Sequence, residues 1–224
     1  IFRDGVERAS IDTPWTTALL GQIAWTQSAD TLLICHPDIE PRVILRQGDT
    51  DWSIETWPFV VEDDAERAPF YRYAGPDVTL TPSATTGSVT LTASADIFVP
   101  DHEGARFRIT GKQVEITAVV SATEATALVH EELAGTDATK SWSEAAFSDA
   151  RGWPIAAAFH QDRLVIGGSK SLPNRLWLSK SGDIWNFDLG DGLDDEAIEF
   201  AILSDQVNAI RALFSGRHLQ VFTS

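Results

Sequence analysis

Hydrophobic and polar residues alternate in short runs along most of the chain, and glycine, proline and asparagine separate these runs. The segment 159–187 is the clearest example. Its apolar run 164–166 ends at Gly167 and Gly168, and a second apolar run, 176–178, follows Pro173. Alternation with a period of two between such breakers predicts β-strands joined by turns. The sequence therefore predicts an all-β protein.

A similar pattern occurs earlier in the chain. In both copies an aspartate precedes the apolar run (Asp30 and Asp162), and a proline follows at the same spacing (Pro41 and Pro173). Such a repeat of three or four short strands is typical of a propeller blade, which must stack on neighbouring blades to bury both faces. We expect the two aspartate carboxylates to hydrogen-bond within their turns, so that replacing either with alanine costs about 1 kcal/mol.

The two copies are too far apart to be adjacent blades. Asp162 follows Asp30 by 132 residues, whereas neighbouring blades are spaced by about 40–50 residues. Between 77 and 142 threonine-rich β-runs are broken by glycines, and tryptophan is absent until Trp142. We predict that 77–142 is an inserted small β-barrel, between a first blade region at 1–76 and a second at 143–224. The predicted fold class is all-β, with incomplete β-propeller-like blades and the inserted barrel.

The last part of the chain has the pattern of a further blade. Residues 207–214 and 216–222 alternate like its opening hairpin, and the sequence stops inside it. The chain also begins at Ile1 and contains no methionine. We therefore expect a piece of a longer protein, whose other strands complete the blade.

The charge balance narrows the classes of function. The chain has 17 Lys and Arg against 33 Asp and Glu, a net charge of −16. A protein that grips nucleic acid needs a basic surface to release counterions, so this class is disfavoured. The negative charge is compatible with an acidic wall past which DNA slides, because such a wall repels phosphate. It is equally compatible with a role in solubility alone. No run of 18 apolar residues occurs, and no membrane span is predicted.

Several residues could in principle bind a ligand or take part in catalysis, and for each of them we favour a structural role. Cys35 lies in an apolar run and is expected in the core. The carboxylates of 62–66 are expected in a solvated loop, and so are those of 188–196, although the latter could hold a metal or form a glycosidase pair. Gly167 to Lys170 precede Pro173, not a helix, which argues against a phosphate loop. The histidines have no metal-ligand spacing (His36, His102, His130, His160 and His218). We predict no catalytic residue, no metal-binding or cofactor-binding residue, no cofactor and no enzymatic activity.

Several of these motifs, taken in order, resemble tail proteins of tailed phages and prophages. The motifs are 160–168 with Pro173, 177–179, 182–183, 186–187, 194–198 and 207–210, with 29–45 in the earlier copy and 142–144 and 150–154 at the end of the insert. Specifically, the chain is similar to the family of the tail tubular protein B, or nozzle, of short-tailed phages. Members of that family are longer than this chain.

The resemblance implies a structural virion component of a phage or phage-like tail, a nozzle or head-to-tail conduit. It implies a homo-oligomeric ring that contacts portal, adaptor or other tail proteins and lets DNA pass without sequence-specific binding. The expected location is the virion tail, after synthesis in the cytoplasm of the bacterial host. No catalytic residue is carried over, because the family pattern contains none.

A second hypothesis stays open, a carbohydrate-binding or glycan-cleaving propeller domain at a tail tip. It is suggested by eight tryptophans and the aspartate-rich loop. Such a domain would need exposed tryptophans beside carboxylates, whereas five tryptophans fall at strand positions where we expect core packing (Trp25, Trp52, Trp57, Trp177 and Trp185). A soluble interaction scaffold unrelated to phages is a third possibility.

Overall fold

The structure is a computed structural model that describes residues 1–203 and 208–224. These residues form an all-β fold, which confirms the predicted class, with two short 3-10 helices at Leu20–Gln22 and Pro100–His102. Val207, the first residue of the predicted hairpin 207–214, lies outside the described residues. In chain order the strands are β1 (Phe2–Arg3), β2 (Val6–Glu7), β3 (Ala24–Ser28), β4 (Thr31–His36), β5 (Ile39–Arg46), β6 (Trp52–Thr56), β7 (Val61–Glu62), β8 (Ala65–Glu66), β9 (Phe70–Tyr71), β10 (Leu80–Pro82), β11 (Ser88–Ala93), β12 (Arg106–Ile109), β13 (Lys112–Ser121), β14 (Glu124–Val129), β15 (Trp142–Ala145), β16 (Ala156–His160), β17 (Arg163–Gly167), β18 (Arg175–Leu178), β19 (Ile198–Ala201), β20 (Ile210–Ser215) and β21 (Leu219–Thr223).

The chain divides into two compact units. One, the discontinuous unit, consists of 1–58 and 152–224, and the other, the inserted unit, is 59–151. The sequence places the corresponding boundaries at 76/77 and 142/143. The inserted unit is longer because β9 and β15 pair with each other, Tyr71 opposite Glu144, and so both belong to its sheet.

The discontinuous unit contains two four-stranded antiparallel sheets. The first has the order β3-β4-β5-β6 and the second the order β16-β17-β18-β19, so each connects strands that are consecutive in the chain. Each of the two sequence repeats lies in one of these sheets. The hairpin β20–β21 follows the second sheet, and a small hairpin, β1–β2, lies at the N-terminus.

Strand β16 is the place where these sheets meet. It lies next to β3 of the first sheet and next to β20 of the hairpin. Its residues 156–158 are three buried alanines, whose small side chains allow a close approach of the neighbouring strands. A cluster of Ala156, Val165, Leu176 and Ile210 packs against Leu213, Leu219 and Val221 of the hairpin. One face of the hairpin is therefore covered by the second sheet.

The opposite face of the hairpin β20–β21 is open to solvent. Phe214 is 59% and Phe222 53% exposed. Phe214 lies opposite Gln220 and Phe222 opposite Ala212, so these four side chains share one face of the two-stranded sheet. The hairpin thus has two apolar faces, of which the described residues cover one.

Two-residue turns with positive φ at both positions close four hairpins. They are Asp4-Gly5, Asp63-Asp64, Thr110-Gly111 and Gln161-Asp162. This is the type I′ geometry, whose twist matches that of the flanking strands. The segment 62–66, predicted as a solvated loop, accordingly forms the hairpin β7–β8, and the buried side chain of Ala65 anchors it.

The inserted unit is a seven-stranded antiparallel sheet with the order β10-β11-β14-β13-β12-β15-β9. Its core contains Leu91, Phe107 and Ile116, all fully buried. Two register shifts in the pairing of β13 with β14 mark bulges, which bend a strand. Among the described residues no sheet closes into a barrel, so the prediction of a small β-barrel at 77–142 is wrong and the inserted unit is an open sheet. A single bridge, Leu80 to Thr139 with backbone N–H···O distances of 2.9 and 3.0 Å, joins β10 to the segment before β15.

Candidate functional site

A cleft of about 830 Å³ opens in the discontinuous unit between its two four-stranded sheets. The β3–β4 turn contributes Ser28 and Ala29, and the β16–β17 turn contributes Gln161 and Asp162. Ser181, Gly182, Ile184 and Trp185, which follow β18, complete this part of the lining. The two turns that carry the repeated motif therefore reach the same cleft.

The apolar part of the cleft lining includes Val43, Leu45, Phe159, Ile184 and Trp185. The Trp185 ring packs against the ring of Trp57, with centroids 5.9 Å apart and an interplanar angle of 59°. Trp57 is itself fixed, because its indole N–H donates to the Arg42 carbonyl at 3.0 Å. The half-buried Trp185 is thus held in place while it still lines the cleft.

Asp162 supplies a carboxylate to the lining. Its backbone has a φ of 59°, and its carbonyl accepts a hydrogen bond from Gly182 N at 2.9 Å. Among the described residues no group hydrogen-bonds the Asp162 carboxylate, so the predicted turn bond is wrong at this position. Asp30 also binds outside its turn, since Arg46 Nη1 donates to its Oδ1 at 3.1 Å.

His160 adds an imidazole ring to the cleft lining. Its Nδ1 lies 3.0 Å from the hydroxyl oxygen of Ser215 on β20. That contact fixes the ring, and it leaves Nε2 as the atom that could reach a ligand.

The arginine of the same motif binds backbone instead of ligand. Arg163 is 7% exposed. Its guanidinium donates to the carbonyls of Ser179, Asp194 and Glu196. The guanidinium thereby holds the aspartate-rich segment 188–196 through its backbone carbonyls. It does not bring the carboxylates of that segment together.

Among the residues that the structure describes, no set of three or more His, Cys, Asp or Glu side chains is placed to hold a metal ion. The Glu196 carboxylate instead accepts from Leu193 N at 2.9 Å, and Asp188 accepts from Gly190 N at 3.4 Å. The segment 188–196 is thus organised by local side-chain to backbone bonds.

Cys35 and His36 end strand β4, and both are fully buried. Burial raises the pKa of the Cys35 thiol far above its ordinary value, so the reactive thiolate is suppressed. The Nδ1 of His36 accepts a hydrogen bond from Asp38 N at 3.1 Å. Cys35 therefore has the environment of a core residue.

The glycine-rich segment 167–170 is tightly packed against its neighbours. A Cβ on Gly168, where φ is 67°, would lie 2.7 Å from a carbon of Ile155. Ser169 Oγ accepts from Leu172 N at 3.0 Å, and Lys170 pairs with Asp38. The segment leads into the strand β18 and has no helix N-terminus to bind phosphate.

Sequence reasoning missed a buried charged network in the inserted unit. Arg151 donates two hydrogen bonds to Glu144, at 2.9 and 2.7 Å, and His102 Nε2 lies 2.9 Å from the same carboxylate. His102 Nδ1 accepts from Val99 N at 3.0 Å, so Nε2 carries the proton and donates. Arg151 follows Glu144 by seven residues, whereas His102 precedes it by 42, and no local motif indicates that the three side chains meet. Three hydrogen bonds hold the buried Glu144 carboxylate, which suits a structural role.

The tryptophans divide between core and surface. Trp57 and Trp177 are buried as predicted, and Trp52 and Trp185 are half-buried. Trp25 is 64% exposed, so the prediction of core packing is wrong there. Its strand, β3, is an edge of the first sheet, and the side chain lies on a face that no described residue covers completely.

No family model matches the chain, and no curated protein matches it either. Among residues 1–203 and 208–224, no helix has the length and apolar character that crossing a bilayer would need.

Proposed function

We propose that this chain is a structural virion component of a phage or phage-like tail, a nozzle or head-to-tail conduit that assembles into a ring through which DNA passes. The observation that carries the proposal is the stack formed by β3, β16 and β20. Two four-stranded sheets with consecutive strands and a third hairpin meet along their first strands. Blades of a propeller stack in this way, and we propose that these two sheets and the hairpin are incomplete blades.

The open face of the β20–β21 hairpin supports assembly between copies. Phe214 and Phe222 are exposed there, and 208–224 carry Arg211 and Arg217 but no Asp or Glu. The other residues of the chain carry 15 Lys and Arg against all 33 acidic groups. A hairpin with an open apolar face and a basic charge is complementary to an acidic surface of a second copy. Because the two surfaces differ, the contact is heterologous and can close a ring.

The residues that carry the family resemblance give the proposal a second support. The motif 160–168 forms the end of β16, a type I′ turn and β17, and 177–179 ends β18. The resemblance therefore rests on the strands and turns that build the stack. The net charge of −16 further suits a conduit wall, because an acidic lining lets DNA phosphate pass without adhesion.

Light scattering coupled to size exclusion tests the proposed assembly. The chain is measured alone and mixed with purified portal or adaptor rings, and we expect a closed oligomer in at least one condition. Phe214→Ser together with Phe222→Ser should abolish it, whereas Val120→Ser, at a 62% exposed position of the inserted unit, should not. A monomer under every condition, or equal loss in the control, would overturn the proposal.

The cleft favours a second candidate function, carbohydrate binding by a tail-tip domain. It combines an aromatic ring with an unbonded carboxylate, which is the pairing that sugar recognition needs. Glycan cleavage requires two carboxyl groups about 5–9.5 Å apart. Among the lining residues Asp162 is the single carboxylate, so we propose binding without cleavage.

A further inference from the structure

We infer that the cleft between the two four-stranded sheets binds a neutral oligosaccharide, with Asp162 and Trp185 as its principal contacts. The inference rests on the second candidate function, carbohydrate binding by this cleft, and does not depend on ring assembly. A concave site with an apolar lining and a few convergent polar groups is the usual form of a ligand site. Its volume of about 830 Å³ lies within the range of about 300–1,000 Å³ that such sites have.

Asp162 gives the cleft its hydrogen-bond acceptor. The carboxylate is exposed on a turn whose backbone is fixed by the bond from Gly182 N to the Asp162 carbonyl. An ionised carboxylate accepts up to four hydrogen bonds, and no described residue donates one to it. Ser28, Thr31 and Ser181 add hydroxyl groups around it, which both donate and accept. A ligand rich in hydroxyl groups satisfies this set.

The charge of the lining determines the class of sugar. Among the residues that line the cleft no lysine or arginine occurs, His160 is the one basic side chain, and Asp162 adds a carboxylate to a protein whose net charge is −16. A phosphate, sulfate or carboxylate ligand would therefore enter against repulsion. The cleft selects a neutral ligand.

The apolar lining accommodates the carbon-bound hydrogens of a sugar ring. Trp185 is held by Trp57, so its ring loses little freedom when a ligand packs against it. Val43, Leu45 and Phe159 extend the same apolar surface. Aromatic rings with an apolar body and a polar edge suit ligands that present both kinds of surface.

Titration calorimetry with maltotriose, cellotriose and chitotriose as neutral probes, and with sialyllactose as an anionic probe, tests this inference. We expect saturable binding of at least one neutral trisaccharide at concentrations up to about 10 mM, where even a millimolar Kd is saturated. Asp162→Asn keeps a residue that tolerates positive φ, and it should weaken binding at least tenfold because a charged acceptor is lost. Asp137→Asn, at an exposed position of the inserted unit, should leave binding unchanged.

Trp185→Leu is the second variant, with Trp25→Leu as its matched control on an exposed strand position. Loss of binding only in Trp185→Leu, with unchanged far-ultraviolet circular dichroism, is expected. Failure of all three neutral probes, stronger binding of sialyllactose, or full affinity in Asp162→Asn would each overturn the inference. The oligomer measured by light scattering is a separate result, so failure of ring assembly and failure of sugar binding are distinguished.

Discussion

Replacement of Arg163 with methionine tests whether one buried cation holds the aspartate-rich segment 188–196 against the second sheet. The guanidinium donates three hydrogen bonds to backbone carbonyls, and the residue is 7% exposed. A hydrogen bond that involves a charged group contributes about 1.5–3 kcal/mol. The carbonyls of Asp194 and Glu196 lie in a segment with exposed neighbours and can regain water, so the lower value applies. Methionine keeps an apolar stem, and the expected loss is therefore about 4.5 kcal/mol.

Urea unfolding followed by tryptophan fluorescence measures this loss. Seven of the eight tryptophans lie in the discontinuous unit, so the signal reports the unit that contains Arg163. With a denaturant slope of about 2 kcal/mol per molar urea, the midpoint should fall by about 2 M. Arg217→Met, in the exposed turn of the β20–β21 hairpin, is the control and should stay within about 0.5 kcal/mol of the wild type. A loss below about 1 kcal/mol in Arg163→Met would refute the structural role of its three bonds.

Three further predictions concern single groups. Cys35 should resist a thiol reagent in the folded protein and react after unfolding, since burial raises its pKa; rapid labelling under native conditions would contradict its placement. Glu144→Gln should destabilise the inserted unit by about 2–4 kcal/mol, because it leaves the Arg151 charge uncompensated, and calorimetry that detects no change would oppose this. The hydrogen bond from Arg3 lowers the pKa of Asp49, so Arg3→Gln should raise that pKa in an NMR titration, and an unaltered value would speak against the pair. Because the folded pKa is the lower one, the pair stabilises the fold above the unfolded pKa, and this is lost as the pH falls through the folded pKa.

The all-β class could be predicted from the sequence because alternation is a local property. Each strand of the two repeats is bounded by its own breakers, and its partner in the sheet is the next strand of the chain. The division into units depends on distant pairing. Tyr71 lies opposite Glu144, and the sequence near either residue does not indicate that the two pair.

The candidate site could be predicted only in part, because it too depends on contacts between elements that are distant in the sequence. Asp162 stands out in the sequence because the motif is repeated, but its carboxylate reaches a cleft whose other wall comes from β5 of the first sheet. Trp25 alternates as a core residue should, yet the pattern along one strand does not say whether a neighbouring element covers that face. The fold likewise brings His102 to Glu144 from a position 42 residues away.

The three buried alanines of β16 make this strand sensitive to substitutions that add volume. Residues 156–158 are buried, and each has a side chain of a single carbon. A substitution there can remove almost nothing, so nearly every change adds volume. Because β16 touches β3 and also β20, an added carbon can widen both contacts. At β16 each of these side chains adds only one methyl group. The separation of β3 and β20 therefore depends on the dimensions of the backbone more than on the choice of side chains.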